Sequence, residues 1–380
     1  MTGESASVTT PVVGAKSEPT LPRSGPSSPN SKSVSPKEGS PEETTTGILP
    51  AQHWVEAAQD EEIDNSDAES AMGSLASSTA SLTASILEYR KIHGRTYHSE
   101  IGNASYWGAN DEQQNEAMDM YHHLFTLALD GKLFLAPLDA KNIHKVVDIG
   151  TGTGSWAIDF ADDHPNVEVI GTDISPIQST WVPTNLKFEM DDCTLDWTFS
   201  PNSLDYVHMR LLVGSIKDWE ALFREAYKAL TPGGWLESHE CNAVYECDDD
   251  SVQETSALGQ WGKLFAEFGR SIGRSFTVLP DGIQRKAMEA AGFVEISEAD
   301  FKTPIGSWPK DPQLKEIGQY AQHVVEADTE GYILYPATAL GWSREEVTVF
   351  AAHVRRELYS PKTHPWYRQK VVLGRKPLVA

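Results

Sequence analysis

The sequence predicts an α/β protein with a mostly parallel β-sheet and helices on both faces of it. Two observations carry this prediction. From about residue 111 onward, short apolar runs typical of buried strands alternate with amphipathic stretches at helical spacing. One of these runs ends in alternating glycines at residues 150–154 (GTGTG), after which a helical pattern resumes. A tight glycine turn from a strand into a helix is typical of such sheets.

The individual elements follow in a regular order. A helix over residues 111–130 precedes the first strand, and Gly131 is its expected C-terminal stop. The next predicted elements are a strand at 145–149, a helix from Ser155, strands at 168–172, 186–190 and 204–209, a helix at 219–230 and a strand at 235–239. The last are a helix at 283–291, a strand at 293–303, two helical stretches within 313–358 and a strand at 366–373. We expect the final two strands to form a pair separated by a helical insertion.

The first 85 residues differ in composition from the rest. They are rich in Ser, Thr, Pro, Gly and Glu and poor in aromatic residues, so they cannot bury enough apolar surface to offset the entropy cost of ordering. We predict a disordered tail over 1–85 and one domain over 86–380. Ser28, Ser35 and Ser40 each precede a proline, and the tail is either a solvated arm or a docking segment controlled by phosphorylation.

Charge and cysteine content exclude several classes of function. The formal net charge is −24, which opposes binding to nucleic-acid phosphates or to an anionic membrane surface. Three cysteines, Cys193, Cys241 and Cys247, form no CxxC pair and fit a reducing compartment. No apolar run is long enough to span a membrane, and the N-terminus lacks the pattern of a signal peptide. We therefore expect a cytoplasmic or nuclear protein.

The glycine loop predicts a site for a nucleotide-like molecule, because glycines let a ligand approach backbone N–H groups at a helix N-terminus. Residues 152–157 formally satisfy the G-x-G-x-x-A pattern of NAD- and FAD-binding proteins. Asp173, at the end of the next strand, is compatible with any adenosine that has a free ribose diol. The loop and Asp173 alone do not separate a dinucleotide from another adenosine cofactor.

Further residues in order along the chain separate them. Asp148 leads the loop as D-x-G-x-G-x-G, Asp173-Ile174 ends the second strand, residues 189–193 (EMDDC) end the third, and residues 230–235 (LTPGGW) lead into the fifth. This set resembles the motifs of the class I S-adenosylmethionine-dependent methyltransferases. The resemblance implies a Rossmann-like fold with a seven-stranded sheet and a helical cap, and S-adenosylmethionine as the cofactor.

The resemblance also implies the cofactor-binding residues. In that family the acid before the glycine loop faces the methionine part of the cofactor, the acid after the second strand binds the ribose, and an acid with a small neighbour after the third strand contacts the adenine. We place Asp192 and Cys193 in the adenine roles. The full predicted set is Asp148, Gly150, Thr151, Gly152, Gly154, Asp173, Ile174, Asp191, Asp192, Cys193 and Met209.

Other stretches narrow the resemblance to the fungal LaeA-like methyltransferases. They are residues 94–98 (GRTYH), 111–112 (DE), 156–159 (WAID), 204–210 (LDYVHMR), 214–219 (GSIKDW) and 374–377 (GRKP). The resemblance covers about residues 89–377 and implies cap helices within 86–140 and insertions near 245–280 and 310–360. That group includes a nuclear regulator and enzymes of individual biosynthetic pathways, so it implies no single methyl acceptor.

Candidates for acid–base chemistry lie at the carboxyl ends of the strands. They are His208 after the fourth strand, and His239 with Glu240 after the fifth. Each could equally be a buried structural residue, and Arg210 could simply pair with a carboxylate. Residues 252–272 carry an apolar helical face (Trp261, Leu264, Phe265 and Phe268) that either covers the substrate or belongs to the core. No His or Cys spacing suggests a metal site.

These observations lead to a ranked set of hypotheses. The first is a methyltransferase that acts on a small secondary metabolite or an unidentified acceptor. The second is a cofactor-binding regulator of secondary metabolism whose tail docks protein partners. The third is a NAD-type oxidoreductase, for which the motifs downstream of the glycine loop would be coincidence.

Overall fold

The computed structural model describes residues 47–59, 89–98 and 106–378. The three Ser-Pro sites and most of the predicted tail lie outside these residues. In chain order the described elements are α1 (Ala51–Gln59), β1 (Arg90–Ile92), β2 (Arg95–Tyr97), α2 (Glu112–Ala128), β3 (Lys145–Ile149), α3 (Ser155–Asp163), β4 (Glu168–Asp173), β5 (Leu186–Met190), β6 (Leu204–Arg210), α4 (Trp219–Ala229), β7 (Leu230–Cys241), α5 (Ala257–Ile272), α6 (Ile283–Ala291), β8 (Val294–Pro304), α7 (Pro312–Ala327), α8 (Thr329–Ala339), α9 (Arg344–Tyr359) and β9 (Trp366–Arg375).

The described strands form a seven-stranded sheet in the order β5-β4-β3-β6-β7-β9-β8, beside a small β1-β2 hairpin. The five strands from β5 to β7 are parallel, and β9 runs antiparallel to both β7 and β8. The predicted α/β class, the mostly parallel sheet and the pairing of the last two strands are confirmed. The carboxyl ends of the parallel strands therefore meet at one edge of the sheet, where ligands bind in open α/β folds.

The sheet has a hydrophobic core on each face. Val146 and Val147 are adjacent on β3, yet they belong to different clusters, because successive strand residues point to opposite faces. One cluster contains Trp156 and Phe160 of α3, and the other contains Phe223 of α4. Helices thus cover both faces.

The fifth parallel strand begins earlier than the sequence indicated. The predicted strand was 235–239, whereas β7 begins at Leu230. Leu230 pairs with Leu204 and Trp235 with Tyr206, so residues 231–234 form an irregularity between two paired positions. A Cβ on Gly234 would lie 2.9 Å from the carbonyl oxygen of Asp205, which explains why this crossing needs a glycine.

Part of the predicted tail packs on the domain. Helix α1 contacts α9, and the buried Trp54 lies with its ring centroid 4.9 Å from that of Phe350. The Trp54 carbonyl oxygen is 3.2 Å from His353 Nε2, and the Leu49 N–H donates to Gln260 Oε1 at 2.7 Å. The folded unit therefore includes residues 47–59, which the composition of the whole tail had concealed.

A group of helices and the β1-β2 hairpin form a cap beside the sheet. Helix α2 packs on α7, and α8 packs on α5 and α9. Arg95 joins these parts, because its guanidinium donates to Asp111 at the start of α2 and to Asp328 at the start of α8, at 2.7 Å each. The aspartates also cap their helices by accepting backbone N–H groups, so this ion cluster fixes where both helices begin.

Candidate active site

A cavity lies between the carboxyl ends of the parallel strands and the cap. We call the part lined by residues within 148–155, 173–177, 191–194 and 208–210 the loop half. It contains most of the predicted cofactor residues: Asp148, Gly150, Thr151, Gly152, Asp173, Ile174, Asp191, Asp192 and Cys193. Of that predicted set, Gly154 and Met209 do not line the cavity. Met209 is fully buried in the core, and Gly154 caps α3.

The backbone of the glycine loop explains its composition. Gly150, Gly152 and Gly154 have φ angles of +66°, +59° and +88°, a left-handed region that disfavours other residues. At Gly154 a Cβ would also lie 2.3 Å from the Phe188 ring. The loop is held from below by Thr151, whose N–H donates to the Thr172 carbonyl oxygen at 2.9 Å.

Asp173 lies in the loop half and joins two backbone segments. Its carboxylate accepts from the Gly152 N–H and the Ser175 N–H, both at 2.9 Å. Burial raises the pKa of Asp173 to about 6, although these hydrogen bonds favour the ionised form. Tyr106, from the cap, also lines this part of the cavity. A ligand hydroxyl here would meet a carboxylate that titrates near neutral pH.

The segment after β5 supplies a second polar corner. Asp192 Oδ1 accepts from the Thr194 N–H at 2.9 Å and from the Thr194 hydroxyl at 2.6 Å. The Asp191 N–H donates to the Asp173 carbonyl oxygen at 3.0 Å, which ties the corner to β4. Burial raises the pKa of the Cys193 thiol to about 12, so Cys193 is an uncharged, compact wall residue at neutral pH.

Asp148 and His208 form a buried pair beneath the loop. His208 Nδ1 lies 2.7 Å from Asp148 Oδ1, and the Thr151 hydroxyl donates to Asp148 Oδ2 at 2.6 Å. The His208 ring stacks on Trp156 with centroids 3.8 Å apart. Burial lowers the pKa of His208, so at neutral pH the ring is uncharged and its Nδ1–H donates to Asp148. Each oxygen of the Asp148 carboxylate thus already accepts one hydrogen bond from the protein.

Helix α2 contributes polar residues that the sequence analysis missed. Asp119 accepts from the hydroxyls of Thr153 and Ser155 at 2.6 Å each, which clamps the helix to the glycine loop. His122 lines the cavity and lies 3.1 Å from Arg210 Nη2 and 2.9 Å from Asp159 Oδ2. The helical apolar face was the only signal in α2, and it gave no reason to single out the polar residues between its members.

The structure does not bring His239 and Glu240 into the cavity lining. His239 Nε2 lies 2.9 Å from Gln369 Oε1, and the ring packs edge-on against Phe125. Glu240 accepts the N–H groups of Leu212 and Val213 at 3.0 and 2.9 Å, which holds the segment after β6. Both residues were predicted at the reaction site because they lie near the end of β7. Neighbouring strand residues point to opposite faces of the sheet, and the hydrogen bonds above hold both side chains in the interior.

Beyond the loop, the cavity is walled by aromatic side chains of the cap helices, of β9 and of the segments between elements. We call this the aromatic half; its members are Trp107, Tyr121, Tyr245, Trp261, Phe265, Phe276, Tyr332 and Tyr367. Trp107 packs on Phe265 and Phe276 at centroid distances of 5.5 and 5.4 Å. The charged residues that line the described cavity, Asp148, Asp173, Asp191, Asp192 and Arg210, all belong to the loop half. The helix predicted from residues 252–272 contributes Trp261 and Phe265 to this wall.

Tyrosine hydroxyls give the aromatic half its polar groups. In the described part of the chain, the Tyr332 hydroxyl is buried and has no hydrogen-bond partner. Its pKa is raised well above the usual value by burial and by the neighbouring Asp328, Tyr106, Tyr245 and Tyr367. These hydroxyls are therefore neutral at physiological pH and can serve as hydrogen-bond donors or acceptors.

The comparisons with known proteins agree with this architecture. Residues 120–298 match a family described as a methyltransferase domain. The methyltransferase pytC of Aspergillus terreus is 39% identical over 303 residues, which cover 79% of this chain and 92% of pytC. The secondary metabolism regulator LAE1 of Cochliobolus heterostrophus is 33% identical, covering 75% of this chain and 94% of the relative. The chain belongs to this family of LaeA-like methyltransferases. The probable methyltransferase tdiE of Emericella nidulans is a further relative, 31% identical over 70% of this chain and 82% of its own.

Membership of this family decides between the methyltransferase and oxidoreductase hypotheses. The chain is a class I methyltransferase of α/β fold, and its cofactor is S-adenosylmethionine, as the sequence predicted. The hypothesis of a NAD-type oxidoreductase is thereby set aside.

The residues present fit that cofactor. The loop half offers groups of the kinds that such a cofactor needs: glycines with positive φ angles, a carboxylate at Asp173, and hydrogen-bonding groups at residues 191–193. Among the described residues, no helix is both long and apolar enough to cross a membrane. The same residues contain no cluster of three or more potential metal ligands.

Proposed function

We propose that this methyltransferase acts on a small, uncharged and mostly apolar molecule that binds in the aromatic half. One observation carries the proposal: the aromatic half contains tyrosine hydroxyls but no charged side chain among the described lining residues. A charged acceptor would lose its hydration there without gaining a counter-ion. An apolar acceptor with one or two polar groups would bury its surface on the rings and use the hydroxyls for orientation.

In this proposal the loop half holds the cofactor. Asp173 binds the ribose hydroxyls, Asp192 and Cys193 contact the adenine, and the backbone of residues 150–152 lies along the methionyl part. When bound, the cofactor supplies an electrophilic methyl group on a sulfonium. Gly154 and Met209 then act on the cofactor indirectly, through the loop and the core.

We further propose that catalysis rests on alignment and on exclusion of water rather than on a side-chain base. His239 and Glu240 are hydrogen-bonded inside the fold, outside the cavity lining. His208 lines the cavity, but it is only 1% exposed and its ring is stacked on Trp156 beneath the loop. The rings of Trp107 and Trp261 shield the reacting atoms from water. Acceptor atoms that are nucleophilic without deprotonation, or acidic enough to lose a proton to water, suit such a site.

A pair of substitutions on one helix tests the acceptor site. Val325 of α7 lines the cavity, whereas Leu314 of the same helix is 43% exposed. Val325→Trp should fill the aromatic half and block transfer of a tritiated methyl group to a panel of neutral aromatic and terpenoid acceptors. Leu314→Trp is the matched control and should retain transfer. Both variants should bind S-adenosylhomocysteine within about twofold of the wild type by calorimetry, because neither residue belongs to the loop half.

The panel also separates the proposal from its opposite. Equal numbers of anionic and cationic molecules belong in it, and a clear preference for charged acceptors would contradict the proposal. So would unchanged transfer by a folded Val325→Trp variant.

A second function is favoured by the relatives named as regulators of secondary metabolism. We propose that protein partners dock on residues 1–46, and that the protein acts in the cytoplasm or nucleus. Deletion of residues 1–46 leaves helix α1 and its contacts intact, so it tests docking without disturbing the fold. Loss of partners with full methyl transfer supports the second function, and an unchanged set of partners argues against it.

A further inference from the structure

The cavity contains one cation whose partner is not a carboxylate. Arg210, the last residue of β6, is the one Lys or Arg side chain among the described cavity-lining residues. Within the part of the chain that the structure describes, no carboxylate lies within ion-pair distance of its guanidinium. From the sequence, pairing of Arg210 with one of the many carboxylates was possible; in the fold its hydrogen-bond partner is a histidine.

That partner is His122. Arg210 Nη2 donates to His122 Nδ1 at 3.1 Å, and His122 Nε2 lies 2.9 Å from Asp159 Oδ2. Because Nδ1 accepts a hydrogen bond, the ring proton is on Nε2 and points to Asp159. The guanidinium also lies 5.0 Å from the centroid of Phe125. One edge of Arg210 is therefore fixed by a histidine and a ring, and its other N–H donors are available to the cavity.

A cation in this position is expected to bind an anionic group of a ligand. Burial lowers the pKa of Arg210 to about 10, so the group stays charged at neutral pH but has lost much of its hydration. The charges of Asp148, Asp159 and Glu237 act on Arg210 without a direct ion pair. A charge taken out of water without a carboxylate in contact is costly, and a ligand that supplies an anion recovers part of that cost. A planar guanidinium can bind a carboxylate or a phosphate through two parallel hydrogen bonds.

The position of Arg210 indicates which anionic group it binds. Met209 pairs with Ile149 across β3 and β6, so Arg210 lies beside the first glycine of the loop. Asp148, whose charge acts on Arg210, already accepts hydrogen bonds from His208 and Thr151. S-Adenosylmethionine has one anionic group, the α-carboxylate of its methionyl part. We propose that Arg210 binds this carboxylate, and that His122 orients the guanidinium for it.

Binding of two cofactors that differ in a single group tests this assignment. S-Adenosylmethionine and its decarboxylated analogue share the sulfonium, the ribose, the adenine and the amine. Calorimetry on the full chain should show that the wild type binds the analogue about 10- to 100-fold more weakly, as expected for loss of a charged hydrogen bond. Arg210→Met should weaken S-adenosylmethionine by the same factor and leave the analogue within about twofold.

Two further variants keep the test decisive. Arg210→Gln retains a donor toward His122 and serves if the methionine variant does not fold. Arg224→Met removes an exposed arginine of α4 and should change neither affinity. Equal binding of both cofactors by the wild type would overturn the proposal, as would an equal loss of both on substitution of Arg210. If Arg210→Met spared both cofactors but abolished capture of anionic acceptors from the panel above, Arg210 would belong to an acceptor site instead.

Discussion

The two halves of the cavity are built in opposite ways. The loop half comes from the ends of β3, β4 and β6 and from the short segments that follow β3, β4 and β5, and its polar groups are largely fixed by backbone geometry. The aromatic half is assembled from side chains of α2, α5, α8 and β9, with connecting segments between them. A backbone-defined site tolerates few changes, because its conformation is the binding surface. A side-chain surface, by contrast, can change its ligand preference by single substitutions.

The largest effect on cofactor binding by the loop half is expected from adding a side chain at Gly154. Gly154→Val imposes a β-branched residue at φ +88° and brings a Cβ within 2.3 Å of Phe188. Strain of about 1–3 kcal/mol is expected at such a position. If the loop relieves it by moving, S-adenosylhomocysteine should bind up to about 100-fold more weakly in calorimetry.

Gly273→Val is the matched control for this prediction. Gly273 also has positive φ, +67°, but ends α5 and has nothing near its Cβ position. It should lower the urea midpoint and leave affinity unchanged. Equal affinity of the Gly154→Val variant and the wild type would mean that the loop conformation does not decide cofactor binding.

An intermediate effect comes from the pH dependence of Asp173. Its pKa in the folded, ligand-free protein is raised from 3.8 to about 6 by burial. Because ribose hydroxyls donate to the ionised form, affinity for S-adenosylhomocysteine should fall as pH drops below about 6, approaching tenfold per unit. Stability has the opposite sign: a carboxyl whose folded pKa is raised binds its proton more tightly when folded, so its contribution to stability grows as pH falls from 7 toward 4.

Asp173→Asn separates this group from others that titrate in the same range. The variant should bind about 10- to 100-fold more weakly at pH 7 and show no steep change between pH 5 and 7. Calorimetry across that range gives the affinity, and urea unfolding gives the stability. A wild-type affinity that stays constant from pH 7 to 5 would contradict the role of Asp173 in the loop half.

The same difference explains how much the sequence could predict. The order of strands and helices along the chain and nearly all residues of the loop half could be predicted from local signals, because a strand, a glycine turn and an acid at the next strand end are contiguous motifs. His122 and Tyr332 carry no such signal. They reach the cavity only because α2 and α8 pack beside it, a long-range contact that the period of either helix does not encode. His239 and Glu240 were placed at the reaction site for a related reason. Their position near a strand end can be seen in the sequence, but the direction of their side chains cannot.

The smallest effect we predict concerns the histidine beneath the loop. His208→Phe keeps a ring to stack on Trp156 but removes the donor to Asp148, so the carboxylate loses a buried partner. The free energy of unfolding should fall by about 1–3 kcal/mol, measured in urea, and cofactor affinity should fall only severalfold because Thr151 still holds Asp148. A general base would behave differently: methyl transfer would drop by about 10² to 10⁴ with stability and cofactor affinity unchanged.

His239→Gln keeps a donor toward Gln369 and should leave transfer intact, since this side chain lies outside the cavity lining. If the two histidines exchanged these outcomes, the chemistry would belong to the interior of β7 and not to the edge of the loop half.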